Sequence, residues 1–364
     1  MEKLQTKLQE MSTDTIIKKT ILASMMDNGF WSRWYVHGID EDFVKAHKSK
    51  MITAKGWVTE LSNKAQEYKE KADTFKSSND FAKAEENYRK AGIYLNLAQW
   101  VYPEPHGIRA DWYKKCLDLF DLADEVSAGE VFRHTLTING KNYGGRIHLP
   151  ESEPQGVVIL VTPTDSTKEE FYLYEQDFVN EGLVVISFDG TGQGETLMVH
   201  GHKADYQSWK EFTKGVVEFA HLKFPNLSIN LFGTSSGGAW AIEASRHPLV
   251  DKIVSVSPPT RYASNIRLPD YFRNRMSNML VDFDTGYLPT FEEDSVSDIS
   301  NIVIVHGEKD LLIDGKELKR VYNNFDEEKR FIIYENEAHC CDNKLGEIRH
   351  RSAEWFKGVN INDI

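Results

Sequence analysis

The chain has 364 residues and a formal net charge of −13, and these two properties already exclude several classes of protein. The length suits one large domain or two ordinary ones. Since the negative charge is spread along the chain, we expect neither nucleic acid nor a membrane surface as a partner. No apolar run approaches the ~18–20 residues that cross a bilayer, and the first residues lack the apolar core of a secretion signal.

The three cysteines, Cys116, Cys340 and Cys341, do not provide a disulfide framework. The adjacent pair Cys340–Cys341 also lacks the spacing of metal ligands. We therefore expect a cytoplasmic, reduced protein that uses neither a metal nor a cofactor.

Helical periodicity marks the first third of the chain. Apolar residues recur at steps of three and four from Trp57 to Phe75 and again from Ala84 to Ala98, and polar residues break the pattern at positions 77–80. This pattern predicts an antiparallel helical hairpin. We predict an N-terminal helical domain over residues 1–126.

A dense aromatic cluster lies ahead of this hairpin. Its residues Trp31, Trp34, Tyr35 and His37 allow two interpretations. They pack between helices, or part of the cluster covers a substrate pocket.

Short strands alternate with helices from about Ala128 onward. The dipeptide Asn139–Gly140 between two alternating runs predicts a β-hairpin, and the series that follows predicts a mostly parallel sheet with helices on both faces. We predict a second domain over residues 127–364, with a lid insertion at about 259–298. The lid residues Tyr262 and Tyr271 either contact a bulky substrate or pack within the lid.

The segment Gly233–Gly237 reads G-x-S-x-G and is the most informative motif of the chain. A buried run precedes it and a helix start follows it, which is the context of a nucleophile elbow. In such a turn a strained backbone holds the serine hydroxyl, here that of Ser235, above the sheet. The motif alone arises by chance fairly often, so its meaning depends on an acid and a histidine later in the chain.

Both partners follow predicted strands in the required order. Asp310 is the candidate acid, with Glu308 and Asp314 as competitors, and His339 is the candidate base. A serine hydroxyl needs an adjacent base, so His339 would take the proton of Ser235. Asp310 would then orient the imidazole and stabilise its charged form.

Negative charge that develops on an attacked oxygen needs fixed hydrogen-bond donors. The backbone N–H of Ser236 is the first predicted donor, and the second should come from the loop after the strand at residues 156–161. Pro163 has no N–H, which leaves Thr164 or Asp165.

A glycine-rich stretch, residues 189–194, follows another predicted strand. Its spacing is not that of the dinucleotide fingerprint G-x-G-x-x-G, and no clear helix start follows it. We therefore predict a tight turn at the sheet edge and no nucleotide site.

These motifs together resemble the α/β-hydrolases that carry an N-terminal helical cap. That group includes 2,6-dihydroxypseudooxynicotine hydrolase, the FrsA-type esterases and hydrolases that shorten polyketides by retro-Claisen cleavage. The resemblance rests on D-S-T-K-E-E at 165–170, D-G-x-G-Q-G-E at 189–195, the elbow, the run His306–Asp310 and His339. The chain departs from the group where Thr162–Pro163 replace glycines and where Thr191 replaces proline.

The resemblance implies an α/β-hydrolase fold, a triad of Ser235, Asp310 and His339, a pocket between cap and core, and often a homodimer. It implies cleavage of an ester or activated ketone, including the C–C bond of a 1,3-dicarbonyl, in a mid-sized, partly aromatic small molecule. The C–C hydrolases also use a further acid in the pocket, for which residues 245–268 offer only Asp251. Two alternatives stay open: a carboxylesterase or thioesterase without C–C activity, and a non-catalytic small-molecule binding protein of the same fold.

Overall fold

The computed structural model describes residues 12–260, 270–281, 290, 291, 293, 296–326 and 328–363. They form two compact units. The first contains the described residues up to Ala128 together with one later helix, and the second contains the others.

The first unit is built of helices. Before Ala128 they are α1 (Thr13–Met26), α2 (Asn28–Val36), α3 (Glu41–His47), α4 (Ala54–Ser77), α5 (Phe81–Gln99) and α6 (Ile108–Asp124). Helix α5 packs against both α4 and α6, and its residues from Ala91 to Gln99 are all buried. The two helices of the predicted hairpin are therefore present as α4 and α5.

The break between α4 and α5 has a local chemical cause. Asn79 takes a left-handed backbone conformation with φ 61°. The side chain of Asp80 then accepts the N–H of Lys83 and caps the start of α5, which satisfies one of the donors that a helix leaves unpaired at its first turn.

One helix from the predicted lid region, α11 (Asp270–Met279), belongs to this first unit. It packs on α1. Arg275 donates a hydrogen bond to the carbonyl of Trp100 at 2.8 Å, and its guanidinium lies 4.7 Å from the centre of the Trp100 ring. The segment 259–298 thus supplies a helix to the helical unit.

The second unit contains a twisted sheet and its flanking helices. In chain order its elements are β1 (Val131–Ile138), β2 (Lys141–His148), β3 (Val157–Val161), α7 (Tyr172–Asn180), β4 (Val184–Phe188), α8 (Gly194–Met198), α9 (Tyr206–Lys223), β5 (Ile229–Thr234), α10 (Ser236–Ala244), β6 (Val250–Val256), β7 (Ile302–Gly307), α12 (Gly315–Tyr322), β8 (Lys329–Tyr334) and α13 (Leu345–Phe356). The eight strands lie in the order β1-β2-β4-β3-β5-β6-β7-β8. Only the pairs β1–β2 and β2–β4 of this sheet are antiparallel, so the predicted fold class is confirmed.

The parallel strands bring distant parts of the chain to one edge. Strands β3, β4, β5 and β7 are buried along their whole length. Because parallel strands share a direction, the loops that follow β3, β5, β7 and β8 leave the sheet at the same edge. This edge is where open α/β sheets place their sites.

The prediction that no helix starts after the glycine-rich stretch is wrong, since α8 begins at Gly194. The carboxylate of Asp189 accepts the N–H of Glu195 at 2.8 Å and so provides an acceptor for the first turn of the helix. Within the described ranges, no helix combines the length and apolar composition that a membrane span requires.

Candidate active site

The elbow between β5 and α10 holds Ser235 in a strained backbone conformation. Its φ of 50° and ψ of −128° lie in a region that side chains disfavour. The N–H of Ser235 donates to the carbonyl of Val256 at 2.8 Å, which ties the turn to the neighbouring strand β6. The strain is therefore supported by the sheet, and Ser235 stays only partly exposed.

Two glycines of the elbow are required by close backbone contacts. A Cβ at Gly237 would lie 2.0 Å from the carbonyl oxygen of Val161, and one at Gly233 would lie 2.4 Å from the oxygen of Gly237. Only glycine allows the turn to approach the end of β3 this closely.

Asp310, His339 and Ser235 form one continuous chain of hydrogen bonds. His339 Nδ1 lies 2.8 Å from Asp310 Oδ2, and His339 Nε2 lies 2.9 Å from Ser235 Oγ. With a proton on Nδ1 donated to the carboxylate, Nε2 is free to accept the serine hydroxyl. The structure thus brings together all three residues that the sequence order selected.

The loop after β7 distinguishes Asp310 from its competitors. Asp310 Oδ1 accepts the N–H groups of Leu312 and Ile313 at 2.8 and 3.0 Å, which leaves Oδ2 for His339. Glu308 is exposed, and Asp314 caps α12.

The contact between acid and base shifts both pKa values. Burial raises the pKa of Asp310, but the hydrogen bond and the charge of His339 lower it more, so the net pKa lies below its ordinary value. Burial lowers the pKa of His339, whereas Cys340 and Asp310 raise it, and the net pKa lies well above the ordinary 6.5.

The backbone after His339 is unusual, and no sequence pattern predicts it. Cys340 and Cys341 both have positive φ, 64° and 55°. The N–H of Cys340 donates to Ser257 Oγ at 3.2 Å, and Ser257 itself has φ 48°. Ser257 follows β6, so this bond fastens the histidine loop to the end of a second strand.

The predicted oxyanion donors lie next to each other. The N–H of Thr164 donates to Ser236 Oγ at 2.9 Å, and Thr164 Oγ1 lies 3.0 Å from the same hydroxyl. The N–H of Ser236 belongs to the first turn of α10, where the helix provides no acceptor. Asp165 is buried in the same loop. Of the two candidates for the second donor, Thr164 has an N–H that contacts the elbow at Ser236.

A buried ion cluster lies behind this loop. The ammonium of Lys168 is 2.9 Å from carboxylate oxygens of Glu169, Asp189 and Glu195, and the Lys168 side chain has no exposed surface. Arg133 approaches Glu195 to 3.1 Å. Burial raises the pKa of Asp189, Lys168 opposes this and Glu169 adds to it, and the net pKa lies above the ordinary value.

Lys168 and its three carboxylate partners come from the two stretches that carried the family resemblance, but their pairing was not predicted. A usable signal was present: Lys168 and Asp189 each stand shortly after a fully buried strand, where an isolated charge is costly.

The predicted substrate-contacting aromatics of the first unit lie in its core. Trp31, Trp34 and His37 are buried, and Tyr35 is half-buried and stacked on Trp31 with 6.2 Å between ring centres. Trp31 also packs 5.8 Å from Trp57 of α4. These contacts agree with the core-packing interpretation, and the role in substrate binding stays a prediction.

The structure describes little of the two predicted lid residues. Tyr262 lies outside the described residues. For Tyr271 the structure describes only the backbone, which is part of α11.

Comparisons of the sequence identify related hydrolases. A family model described as serine aminopeptidase, S33, matches residues 152–295. A 2,6-dihydropseudooxynicotine hydrolase of Paenarthrobacter nicotinovorans is 26% identical over 220 residues, which cover 59% of this chain and 58% of the relative. Hydrolyase ccsE of Aspergillus clavatus is 32% identical over 162 residues, covering 40% and 36%. The matches span less than two thirds of either relative.

Solved structures share the fold over most of the chain. The crystal structure of the 2,6-dihydroxy-pseudo-oxynicotine hydrolase matches with a TM-score of 0.77 at 22% identity, covering 92% of this chain and 96% of that one. AbyA5 matches with a TM-score of 0.62 at 15% identity, covering 82% and 90%. The sheet, the elbow and these matches show that the chain has the α/β-hydrolase fold.

Proposed function

We propose that this chain is a serine hydrolase that attacks the carbonyl of an ester or an activated ketone in a mid-sized, partly aromatic small molecule. The observation that carries the proposal is the hydrogen-bond chain from Asp310 through His339 to Ser235. The relatives described above are named as hydrolases, which supports the same class of reaction.

The geometry supports a two-step acyl transfer. As Ser235 Oγ bonds to the carbonyl carbon, its proton passes to His339 Nε2, and the carbonyl oxygen becomes negative. That oxygen would accept the N–H groups of Ser236 and Thr164, replacing the Ser236 hydroxyl as the acceptor for Thr164. Collapse breaks the bond to the leaving group, which takes the proton from His339. Water activated by His339 then releases the acid from Ser235.

Ester and C–C cleavage differ in where the leaving group takes this proton. An ester releases an oxygen that is protonated directly, whereas a 1,3-dicarbonyl releases a stabilised carbanion that is protonated on carbon. Asp251, considered above as a further acid, is exposed at the amino end of β6, opposite to the strand ends that carry the triad. This placement favours the ester route, and hence the carboxylesterase or thioesterase alternative, over the C–C route.

Other parts of the proposal rest on the resemblance and on composition. We propose that residues 1–126 form a helical domain and residues 127–364 a catalytic domain. We also propose that the protein is a cytoplasmic homodimer and that the aromatic residues contact the substrate. The assignment of a small molecule as the substrate rests on the resemblance and on composition as well.

A serine-directed fluorophosphonate together with a substrate panel tests the function. We expect the probe to label Ser235 of the native protein, as mapped by peptide mass spectrometry, and the enzyme to hydrolyse aryl esters in a panel that also contains β-diketones. Turnover confined to β-diketones would reverse the preference for the ester route. A native protein that stays unlabelled, beside a control hydrolase that is labelled, would establish the non-catalytic binding alternative instead.

The raised pKa of His339 predicts the pH dependence of that activity. His339 accepts a proton only when neutral, so activity is gained as pH rises through its pKa. We expect kcat/KM to rise with pH about a midpoint above the ordinary 6.5, because the net pKa lies well above that value. A wild-type midpoint at or below 6.5 would contradict the expectation.

A further inference from the structure

We propose that Gln193 is a positioning residue that aims the Thr164 N–H at the reacting oxygen; this rests on the proposed function. Gln193 lies in the turn between β4 and α8 and is 1% exposed. Its Oε1 accepts the N–H of Gly190 at 2.7 Å. Its Nε2 donates to the carbonyl of Thr162 at 2.8 Å and to the carbonyl of Pro163. One carboxamide therefore joins the turn after β4 to the loop after β3.

The bond to Pro163 fixes the direction of the Thr164 N–H. The Pro163 carbonyl and the Thr164 N–H belong to the same peptide group, which is planar and trans, so they point in opposite directions. Gln193 holds the Pro163 carbonyl oxygen on one side of the chain. The N–H must then point to the other side, where it meets Ser236 Oγ at 2.9 Å.

The turn that carries Gln193 is itself held rigidly. The carboxylate of Asp189 accepts the N–H of Lys168 at 2.7 Å and that of Glu195 at 2.8 Å, and so joins the segment after the oxyanion loop to the start of α8. The Lys168 ammonium binds the same carboxylate at 2.9 Å. Gln193 therefore extends from a fixed support, as a group that positions another must.

The chemistry requires a carboxamide at this position. One end must accept an N–H while the other donates to two carbonyl oxygens, and of side chains of this length only glutamine does both. Glutamate has nearly the same shape but would place negative charge against the carbonyls of Thr162 and Pro163. In the Gln193→Glu variant, the loop after β3 should therefore no longer be held by residue 193.

Asn230, on β5, provides a matched control because it binds the opposite end of β3. It is fully buried, and its Nδ2 donates to the carbonyl of Val157, the first residue of β3, at 3.1 Å. Asn230→Asp thus makes the same chemical change to a buried carboxamide that holds β3, away from the oxyanion loop. Both variants should melt at lower temperature than the wild type.

The test measures the rate at which a fluorophosphonate modifies Ser235, with kinact and KI determined separately. We expect Gln193→Glu to lower kinact roughly 10²-fold, the lower end of the loss when an oxyanion donor is removed. KI should change little, and Asn230→Asp should keep the wild-type kinact. Equal kinact in the two variants would overturn the role of Gln193 while leaving the hydrolase intact. A wild-type Ser235 that never reacts would overturn the proposed function and this inference with it. If Gln193→Glu does not fold, Gln193→Met removes the donor without adding charge, and an unchanged kinact in that variant would be equally decisive.

Discussion

Replacement of Ser235 by alanine is expected to lower kcat by roughly 10⁴–10⁶-fold, because in the proposed mechanism Ser235, His339 and Asp310 act as one unit. The variant should keep the fold and melting temperature of the wild type. Loss of the hydroxyl removes one hydrogen bond to His339 from a site that is partly open to water. The measurement compares the rates at which the wild type and the variant hydrolyse the same substrate, with the variant followed long enough for one turnover.

Further variants decide what a residual rate would mean. Ser245→Ala is the matched control, since Ser245 ends the same helix α10 and donates only within it, to the carbonyl of Ile242 at 2.6 Å; it should retain full activity. If Ser235→Ala keeps more than about a hundredth of the wild-type kcat, the nucleophile must be another group. Ser236 and Cys340 would then be tested in turn, and the triad proposed here would be wrong.

The largest effect on stability is expected at Lys168. Lys168→Met removes the cation from a cluster of three carboxylates, and breaking a buried ion pair in this way costs about 3–5 kcal/mol of unfolding free energy. The buried methylene stem is retained, so the loss reports the charge and not the packing. Urea unfolding at neutral pH gives the measurement.

The pH dependence of this loss identifies its cause. Without Lys168, the pKa of Asp189 should rise further above its ordinary value, because the opposing effect of the ammonium is gone. The folded variant then binds protons that the unfolded chain releases, so acid stabilises it. We expect the deficit to shrink as pH falls from about 8 toward about 6, the value to which the pKa of Asp189 is already raised in the wild type. A deficit that stays constant with pH would point to packing instead. Lys214→Met is the control, since the exposed pair Lys214–Glu218 at 3.7 Å should contribute about 0–1 kcal/mol.

Much of the second unit could be predicted because local patterns determine it. Buried strands read as short apolar runs, and the Asn139–Gly140 turn takes the positive φ values, 49° and 76°, that make this dipeptide a hairpin signal. Parallel strands place their carboxyl ends at one edge of the sheet. The positions of Ser235, Asp310 and His339 after such strands therefore predict that the three residues lie close together.

The acid could be nominated but not singled out from sequence. Glu308, Asp310 and Asp314 share one loop, and their charges and spacing do not distinguish them. What selects Asp310 is the pair of main-chain N–H groups from Leu312 and Ile313 that fixes its carboxylate. Such contacts depend on the path of the loop, which the local pattern does not encode.

The support behind the oxyanion loop was missed for a different reason. Gln193 stands out in the sequence only as part of a glycine-rich turn, and its partners Thr162 and Pro163 lie 31 and 30 positions away. Its role depends on which two loops the sheet places side by side. The order β2-β4-β3-β5, with β4 beside β3, is a property of the whole sheet that no window of sequence contains.

The long reach of the triad's hydrogen bonds has a consequence for how activity appears during folding. The bond between Ser235 and His339 joins positions 104 residues apart, and the one between Asp310 and His339 spans 29. Closing such distant pairs comes late for sheets dominated by non-local contacts. A chain in which β7 or β8 has not docked lacks Asp310 or His339 beside Ser235, so the proposed mechanism expects it to be inactive. During refolding we therefore expect enzymatic activity to return later than the helical signal.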